Sequence, residues 1–323
     1  MDLRQLRYFV RIVELESITA AAETLHIAQP SLSQHVANLE KELETPLLLR
    51  GPGGVRATEA GKLLYRHAKV MLRQAEEARS AIKHGRDTPS GHVKVGLPTS
   101  TSRILALPLI EAVASRYPEV VLEVVEGSSS DLATAVSMHR LDLSVAMDAR
   151  PQPARMTIAP LLTEDLFLVG PPLGVDAVTL RQMSALPLVL PSFPNSIRVL
   201  AARTFAEEDL PLRLVVETSA VSVLLTVVRA GKGWTVLPSS ALVGPEARSD
   251  NIVATRIASA DFRRRVSVCM SVSTEKSVAC THVHQTLIEV AAGLVAQGCW
   301  TGVQWQGERP LPAIPPAEPV QST

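Results

Sequence analysis

Residues 17–40 read Ser-Ile-Thr-Ala-Ala-Ala-Glu-Thr-Leu-His-Ile-Ala-Gln-Pro-Ser-Leu-Ser-Gln-His-Val-Ala-Asn-Leu-Glu. The stretch predicts two short helices joined by a tight turn. The first helix begins near Ser17 or Thr19, since both are good N-caps, and its small alanines let a partner helix come close. The second helix carries one buried stripe at the i, i+4, i+7 spacing, formed by Leu32, Val36 and Leu39. This pattern predicts a helix-turn-helix, in which the second helix enters a DNA major groove.

Polar side chains occupy the outward face of that second helix. Gln and Asn amides can bond an adenine edge at two points, and Ser or His can bond a base or a phosphate. The predicted DNA-binding residues of the helix are Gln29, Pro30, Ser31, Ser33, Gln34, His35 and Asn38. Every amphipathic helix has a polar face, so this pattern alone also fits a merely solvated surface. Ala28 favours DNA contact, because an alanine at the N-cap leaves the first backbone amides of the helix open to a phosphate.

A turn rich in glycine and proline follows. It joins two short apolar runs in Leu47-Leu48-Leu49-Arg50-Gly51-Pro52-Gly53-Gly54-Val55-Arg56-Ala57-Thr58, which predicts a hairpin wing. Arg50 and Arg56 flank the tip, where an arginine can contact a phosphate or the minor groove. An exposed loop arginine is more often simply solvated. The helices and the hairpin together predict a winged helix-turn-helix DNA-binding domain over residues 1–58.

A long helix is predicted from Glu59 to about Gly85, with Thr58 as its cap. Its apolar stripe recurs for nearly three heptads and consists of Leu64, Ala68, Met71, Ala75, Ala78 and Ile82. The stripe follows a complete small module and needs another surface to bury against, so we predict a dimerisation helix. Residues 59–91 are accordingly assigned to a linker helix and hinge.

Strands and helices alternate from residue 92 onward, which implies parallel strands with crossover helices. The alternation falls into two halves. Two crossings between the halves are predicted, near Leu162 to Asp165 and near Phe262 to Arg265.

Several spaced motifs carry a resemblance to a known family. In the N-terminal part they are Leu3–Phe9, Ala21-Ala22, Gln29–Ser33, Leu39-Glu40 and Thr58–Gly61; further on they are Pro160–Val169 and Ala230–Pro238. Together they resemble the LysR-type transcriptional regulators over roughly residues 1–297. The resemblance implies an N-terminal winged helix-turn-helix with a long linker helix, then a two-lobed, periplasmic-binding-protein-like α/β effector domain.

Within that family the chain looks most like the nitrogen assimilation control regulators. The narrower resemblance is carried by Leu25–Pro30, Glu164–Gly170 and Gln304–Gln306. Many members have an Arg where this chain has Gln34, which makes the operator unpredictable by analogy. A small aliphatic residue is usual where this chain has Trp234, and we expect Trp234 to fill space near the ligand cleft.

The effector-binding domain is predicted to span residues 92–299. Lobe I covers about 92–162 and 266–299, and lobe II covers about 163–265. Residues 300–323 contain five prolines and little to bury, which predicts a Pro-rich, disordered tail.

Short hydroxyl or amide segments follow the predicted strands, where ligands bind in open α/β sheets. Hydroxyls and free amides at helix N-termini suit a small carboxylate or another polar anion. Serine and threonine are also ordinary N-caps that need no ligand. The predicted effector-binding residues are Ser100, Thr101, Ser128, Thr218 and Ser219.

Composition indicates the function less directly than these motifs do. The formal net charge is zero, and the first 86 residues carry 13 Lys and Arg against 10 Asp and Glu. The three cysteines predict no disulfide framework. Cys280 and His284 share a helix face without a second ligand cluster, so neither a metal site nor a cofactor is predicted. The N-terminus lacks an apolar signal segment and no run of about 18 apolar residues occurs, which predicts a soluble, cytoplasmic protein without membrane contact.

Three classes of function can be compared. An enzyme lacks support, because Gly231-Lys232-Gly233 is too short for a phosphate loop and no Gly-x-Ser-x-Gly occurs. A small-molecule binding protein that uses its N-terminal helices only to oligomerise leaves the polar helix face and the basic wing unexplained. A DNA-binding transcription regulator accounts for every segment, whether or not it needs an effector. Its expected partners are double-stranded DNA, further copies of itself in a dimer or tetramer, a small metabolite, and RNA polymerase.

Overall fold

The computed structural model describes residues 1–51, 54–84, 88–150, 155–242, 252–272, 274 and 277–307. The N-terminal part consists of α1 Leu3–Leu15, α2 Ile18–Leu25, α3 Gln29–Glu42, β1 Leu48–Gly51 and β2 Gly54–Ala57. The predicted helix pair is confirmed as α2 and α3. Of the two candidate caps, Ser17 is the N-cap of α2, and its Oγ accepts from the backbone N–H of Ala20 at 3.2 Å.

The three helices enclose a small apolar core. The predicted stripe of α3 is buried in it, and Phe9 and Ile12 of α1 are fully buried opposite. His26 ends α2 with φ of 54°, and this left-handed residue makes the tight turn toward α3. The core therefore fixes which face of α3 is free.

The linker helix α4 runs from Glu59 to His84 and contributes to the same core. Gly61 in its first turn packs directly on the wing, because a Cβ there would lie 2.1 Å from the carbonyl oxygen of Leu47. Ala68 is fully buried, and Leu64 and Met71 are partly buried against the helix-turn-helix. The prediction that the apolar stripe lacks a partner in its own domain is therefore wrong for its first half. Ile82, near the end of α4, is 88% exposed.

The effector domain contains the remaining elements. They are β3 Gly91–Pro98, α5 Thr99–Arg116, β4 Val120–Gly127, α6 Ser129–Ser137, β5 Leu143–Met147, β6 Met156–Gly170, β7 Ala177–Val178, α7 Leu180–Ser184, β8 Leu188–Pro191, α8 Ser196–Glu207, β9 Leu214–Thr218, α9 Val221–Arg229, β10 Thr235–Pro238, β11 Val253–Ile257, β12 Arg263–Ser271, α10 Val278–Ala296 and β13 Val303–Trp305, with a short 3-10 helix at Ser239–Leu242.

The strands form one large sheet and one small sheet. The large sheet has the order β4-β3-β5-β12-β6-β11-β7, and β10 and β13 also pair with β6. Strands β4, β3 and β5 are parallel, as the alternation predicts. Strand β12 is antiparallel to β5 and β6, so parallel pairing does not extend through the whole sheet. The small sheet consists of the parallel strands β8 and β9 in lobe II.

Two strands carry the chain between the lobes. Strand β6 is 15 residues long and pairs with β12 in its first part and with β10 and β11 in its last part. Arg263 of β12 pairs with Asp165, Arg264 with Glu164 and Arg265 with Thr163. Both predicted crossings thus lie side by side in one antiparallel ladder, which is the floor between the lobes.

The predicted tail begins too early in the sequence. Trp300 is buried in lobe I, and β13 pairs with β6 from Val303↔Glu164 to Trp305↔Leu162. Residues 300–307 are therefore part of the folded domain. The prediction rests on the prolines and on an apparent lack of apolar residues, whereas Trp300 and Trp305 supply apolar surface that packs in or against the core of lobe I. The rest of the predicted tail, residues 308–323, lies outside the described residues.

Ion pairs join the N-terminal part to lobe I. Arg73 of α4 lies 3.6 Å from a carboxylate oxygen of Asp142, and Arg140 lies 3.7 Å from Glu16, which follows α1. His139 is buried beside them, and burial together with the neighbouring arginines lowers its pKa to about 4. This imidazole is accordingly neutral near pH 7, and the contact is formed by carboxylates and guanidinium groups.

Helix α10 has the length and apolar composition that a membrane span would need. Its residues Ala279, Val283 and Leu287 are instead buried in the core of lobe I. The helix therefore packs as a core element of this domain.

Candidate DNA-binding surface and effector cleft

The N-terminus of α3 presents open backbone amides. Its N-cap is Ala28, which makes no side-chain capping bond, and Pro30 lies in the first turn. The first N–H groups of a helix have no partner within the helix and carry a partial positive charge. The uncapped start that the sequence predicts is thus present, and it provides donors for an anion.

The polar face of α3 is exposed along its length. Gln29, Pro30, Ser31, Gln34 and Asn38 are exposed, whereas Ser33 and His35 are half-buried. Two internal bonds hold the face in place: Gln34 Nε2 donates to Asn38 Oδ1 at 2.9 Å, and Gln29 Nε2 donates to Ser33 Oγ at 3.2 Å. Neighbouring amides that orient each other lose less freedom when they bind a base edge.

His35 differs from the other residues of that face. Its ring packs edge-on against the ring of Tyr8 in α1, with the centroids 5.1 Å apart. The sequence does not indicate this contact, because Tyr8 precedes α3 by more than twenty residues. His35 therefore has a packing role as well as a polar edge.

The wing is fixed to the helices at two points. Glu40 at the end of α3 accepts from the backbone N–H groups of Leu47 and Leu48, at 2.7 and 3.0 Å. Val55 donates its N–H to the carbonyl oxygen of Glu16 at 2.8 Å. Arg50 and Arg56 are both exposed on the hairpin. The hairpin backbone that carries these two arginines is consequently held at a defined position relative to α3.

A cleft of about 380 Å³ lies between the two lobes. Of the predicted effector-binding residues, Ser100, Ser128 and Ser219 line it. Thr101 does not, because its side chain is fully buried and donates to the carbonyl oxygen of Pro98 at 3.1 Å. Thr218 also lies outside the lining, and its Oγ1 accepts from the N–H of Ala220 at 3.2 Å. The structure thus places neither of these two side chains in the cleft lining, since both hydroxyls serve local backbone groups.

Helix N-termini surround the cleft, and they differ in capping. Ser128 caps α6 by accepting from the N–H of Asp131. Pro98 at the start of α5 and Ala220 at the start of α9 make no side-chain capping bond. Two helices therefore direct uncapped, partly positive ends toward this region.

A buried ion pair that sequence reasoning missed forms the floor of the cleft. Glu164 of β6 is fully buried, and the Arg264 side chain is 5% exposed. Arg264 Nε donates to Glu164 Oε2 at 2.9 Å, and Nη2 lies 2.7 Å from the same oxygen. The other carboxylate oxygen accepts from Trp300 Nε1 and from the backbone N–H of Ser240, each at 3.0 Å. Side chains or backbone groups from β6, β12, the 3-10 helix and the segment before β13 thus join in one polar network.

The charges in this network are balanced. Burial acts to raise the pKa of the Glu164 carboxyl, but the Arg264 guanidinium and the hydrogen bonds from Ser240 and Trp300 outweigh burial and hold that pKa below its ordinary value. Glu164 is therefore an anion in the folded protein at neutral pH. A buried charge of this kind requires its partner.

Trp234 lies elsewhere than the sequence suggests. It is absent from the cleft lining and packs against Gly170, where an added Cβ would lie 2.3 Å from the indole ring. Its Nε1 donates to the carbonyl oxygen of Pro171 at 3.0 Å. The expectation that Trp234 fills space at the cleft is wrong, because the indole belongs to the packing of lobe II.

A winged helix-turn-helix joined to a two-lobed α/β domain with a cleft defines a DNA-binding transcriptional regulator with an effector-binding domain. Comparison with known proteins supports the same class of protein. Residues 3–62 match the bacterial regulatory helix-turn-helix protein family of lysR type, and residues 86–292 match the LysR substrate binding domain. The chain belongs to the LysR family of transcriptional regulators, and it is not an enzyme.

Individual relatives extend the match over most of the chain. The nitrogen assimilation regulatory protein nac of Escherichia coli K12 is 40% identical over 246 residues, which is 75% of this chain and 79% of that protein. Full-length BenM is 26% identical, with a TM-score of 0.56 over 94% of this chain and 99% of that chain. The fold also matches a full-length OxyR variant from Pseudomonas aeruginosa, with a TM-score of 0.70 and 23% identity over 90% of this chain and 94% of that chain.

Proposed function

We propose that this LysR-family regulator reads its operator with the exposed face of α3 and holds the DNA backbone with the wing. The uncapped N-terminus of α3 is the observation that carries the proposal, because its open amides suit a DNA phosphate. Gln34 and Asn38 lie further along the same exposed face, where base edges would be read. Phosphate contacts from Arg50 and Arg56 would fix the position of the protein along the DNA duplex.

The regulated genes are proposed to serve nitrogen assimilation. This rests on the 40% identity with the nitrogen assimilation regulatory protein nac. The protein would act at promoters in the cytoplasm, where RNA polymerase is the partner that a bound regulator can help or hinder. Sequencing the genomic DNA fragments that the purified protein retains at near-physiological salt would identify both the operator and these genes.

Base reading and phosphate binding should separate by mutation. Gln34→Ala should weaken binding to the operator by about 1 to 3 kcal/mol and leave non-specific binding unchanged. Arg50→Ala or Arg56→Ala should weaken binding to all DNA and lower the salt dependence by about one phosphate contact. Fluorescence anisotropy titrations with operator and scrambled duplexes at several salt concentrations measure both effects.

Arg203→Ala is the matched control, since Arg203 is an exposed cation on α8 that pairs with Glu207. It should change neither affinity nor salt dependence. Operator binding by Gln34→Ala that equals the parent's would show that α3 reads DNA through other residues.

We further propose that the protein assembles as a dimer through α4, and that dimers pair into a tetramer. Leu63 is 50% exposed and Ile82 is 88% exposed, so α4 keeps apolar side chains that the single chain leaves uncovered. Association of two α4 helices would bury them.

Ile82→Asp should weaken this association strongly, because a seam between helices would desolvate the new carboxylate. Sedimentation velocity over a range of concentrations should then show smaller species than the parent gives. Val175→Asp, at an exposed aliphatic residue of lobe II, should keep the parent's assembly. If Ile82→Asp also keeps it, α4 is not the dimer seam.

The cleft is proposed to bind a small polar or anionic metabolite that regulates DNA binding. Ser100, Ser128 and Ser219 line it, and α5 and α9 begin there without side-chain caps. A ligand acts only if it binds one arrangement of the lobes better than another. A regulator controlled by its own abundance is the alternative, and it requires full promoter activity from the purified protein alone.

A further inference from the structure

Arg264 is the most deeply buried cation that lines the cleft between the lobes. It lies on β12 at the crossing, and alternation along the strand places Arg263 and Arg265 on the opposite face. Those two neighbours are 51% and 76% exposed and pair with Asp165 and Asp148, whereas Arg264 is 5% exposed. Of three consecutive arginines, one is directed to the cleft.

The guanidinium of Arg264 is only partly satisfied. It has five N–H donors, and those on Nε and Nη2 bind Glu164 and Ser100 Oγ, with Ser240 Oγ at 3.4 Å. Its Nη1 has no hydrogen-bond partner among the described residues. Arg264 lines the open cleft, so the N–H groups of Nη1 are available there to an acceptor that the chain itself does not supply.

The surroundings of Nη1 specify the charge of that acceptor. Ser100 lies in the first turn of α5, so its bond to Nη2 places the guanidinium beside an uncapped helix N-terminus. Glu164 already balances the arginine charge. The remaining attraction comes from the helix end and from Nη1, and it suits one negative charge better than two.

The rest of the lining specifies the body of the ligand. Met156, Ile197 and Leu224 present apolar side chains to the cleft. Burial of an apolar ligand body against them would be favourable. A small acid with an aliphatic portion meets both conditions.

We propose that Arg264 is the anion-binding residue of this cleft and that the ligand is a small aliphatic monocarboxylate, bound by Arg264 Nη1 and the N-terminal amides of α5. The proposal rests on the proposed effector function of the cleft and names the chemical class of the effector. Nη2 already contacts Ser100 in lobe I and Ser240 beside lobe II. A carboxylate on Nη1 would therefore stabilise the arrangement in which both lobes hold the guanidinium.

Calorimetric titration of the full-length protein with acetate, butyrate and hexanoate, each compared with its primary amide, tests the proposal. The carboxylates should bind and the amides should not. Arg264→Lys keeps the charge for Glu164 but has no Nη1, so it should weaken carboxylate binding by about ten- to a hundredfold. Arg265→Lys, the neighbour on the other face, should bind like the parent.

A third variant separates this inference from the proposed function. Ser219→Trp fills the cleft from lobe II and should abolish binding if the cleft is the site. Loss in Ser219→Trp with parent-like affinity in Arg264→Lys would overturn the role of Arg264 and leave the effector cleft standing. Binding that survives Ser219→Trp would overturn both. No binding of any of the three carboxylates by the parent would overturn the monocarboxylate assignment and leave the proposed effector function of the cleft in place. Equal binding of acids and amides would overturn both the monocarboxylate assignment and the anion-binding role of Arg264.

Discussion

Arg264→Met should lower the free energy of unfolding by about 3 to 5 kcal/mol, the usual penalty for removing one partner of a buried ion pair. Glu164 is fully buried and both of its bonds to a cation come from Arg264. Methionine fills much of the arginine's volume, so the loss comes from the stranded carboxylate more than from a void. Urea unfolding followed by tryptophan fluorescence measures it.

A second substitution should recover most of that loss. Glu164→Leu in the Arg264→Met background removes the stranded charge, and apolar replacements of buried ion pairs are often neutral or stabilising. The recovery will be incomplete, because Trp300 Nε1 and the N–H of Ser240 lose their acceptor. A double variant as unstable as Arg264→Met would show that the charge is not the cause.

The penalty should also depend on pH. In the parent the pKa of Glu164 is held below its ordinary value, so the pair stabilises the fold above the unfolded pKa and loses this effect as pH falls through the folded pKa. Without Arg264, burial would raise the pKa of Glu164, and protonation would relieve the stranded charge at low pH. The stability difference between parent and Arg264→Met should therefore shrink as pH is lowered.

Trp300→Ala should destabilise the protein by about 3 to 5 kcal/mol, as expected for a large aromatic residue removed from a core. The indole is 1% exposed in the core of lobe I, and its Nε1 donates to Glu164 at 3.0 Å. The variant loses apolar packing and one hydrogen bond to a buried charge. Thermal unfolding and urea unfolding should both report the change.

Trp300→Phe separates these two losses. It keeps most of the ring and removes the donor, so about 1.5 to 3 kcal/mol should be lost, the range for hydrogen bonds to charged groups. Trp305→Ala is the comparison within β13, where the indole is only half-buried, and it should cost less than Trp300→Ala. A stable Trp300→Ala protein would mean that residues 300–307 are dispensable for the fold.

Local patterns in the sequence predicted the DNA-binding part well. The stripe Leu32, Val36 and Leu39 specifies α3 because helical periodicity is readable over a few turns. The glycine-rich turn specifies the wing for a similar reason, since its backbone conformation depends on neighbouring residues. The partial burial of α4 was missed, because a stripe facing its own module and a stripe facing a second chain look alike in sequence.

The cleft could be predicted only in outline. Ser100, Ser128 and Ser219 follow from the rule that ligands lie beyond the ends of strands. Thr101 does not line the cleft, since the direction of a hydroxyl within a helical turn depends on the backbone it can reach. Arg264 was missed for a different reason: it contacts Glu164 across 100 residues of sequence, and three arginines in a row do not reveal which one faces inward.

The long separation between these partners bears on how the chain folds during synthesis. Domains generally fold as units, and the N-terminal ones fold first as the chain emerges. Glu164 is made 100 residues before Arg264 and 136 residues before Trp300, so a nascent chain cannot bury this carboxylate at once. The DNA-binding part needs only the first seventy or so residues for its core. On the ribosome, a folded helix-turn-helix should therefore precede a completed effector domain, whose central sheet must wait for its last strand.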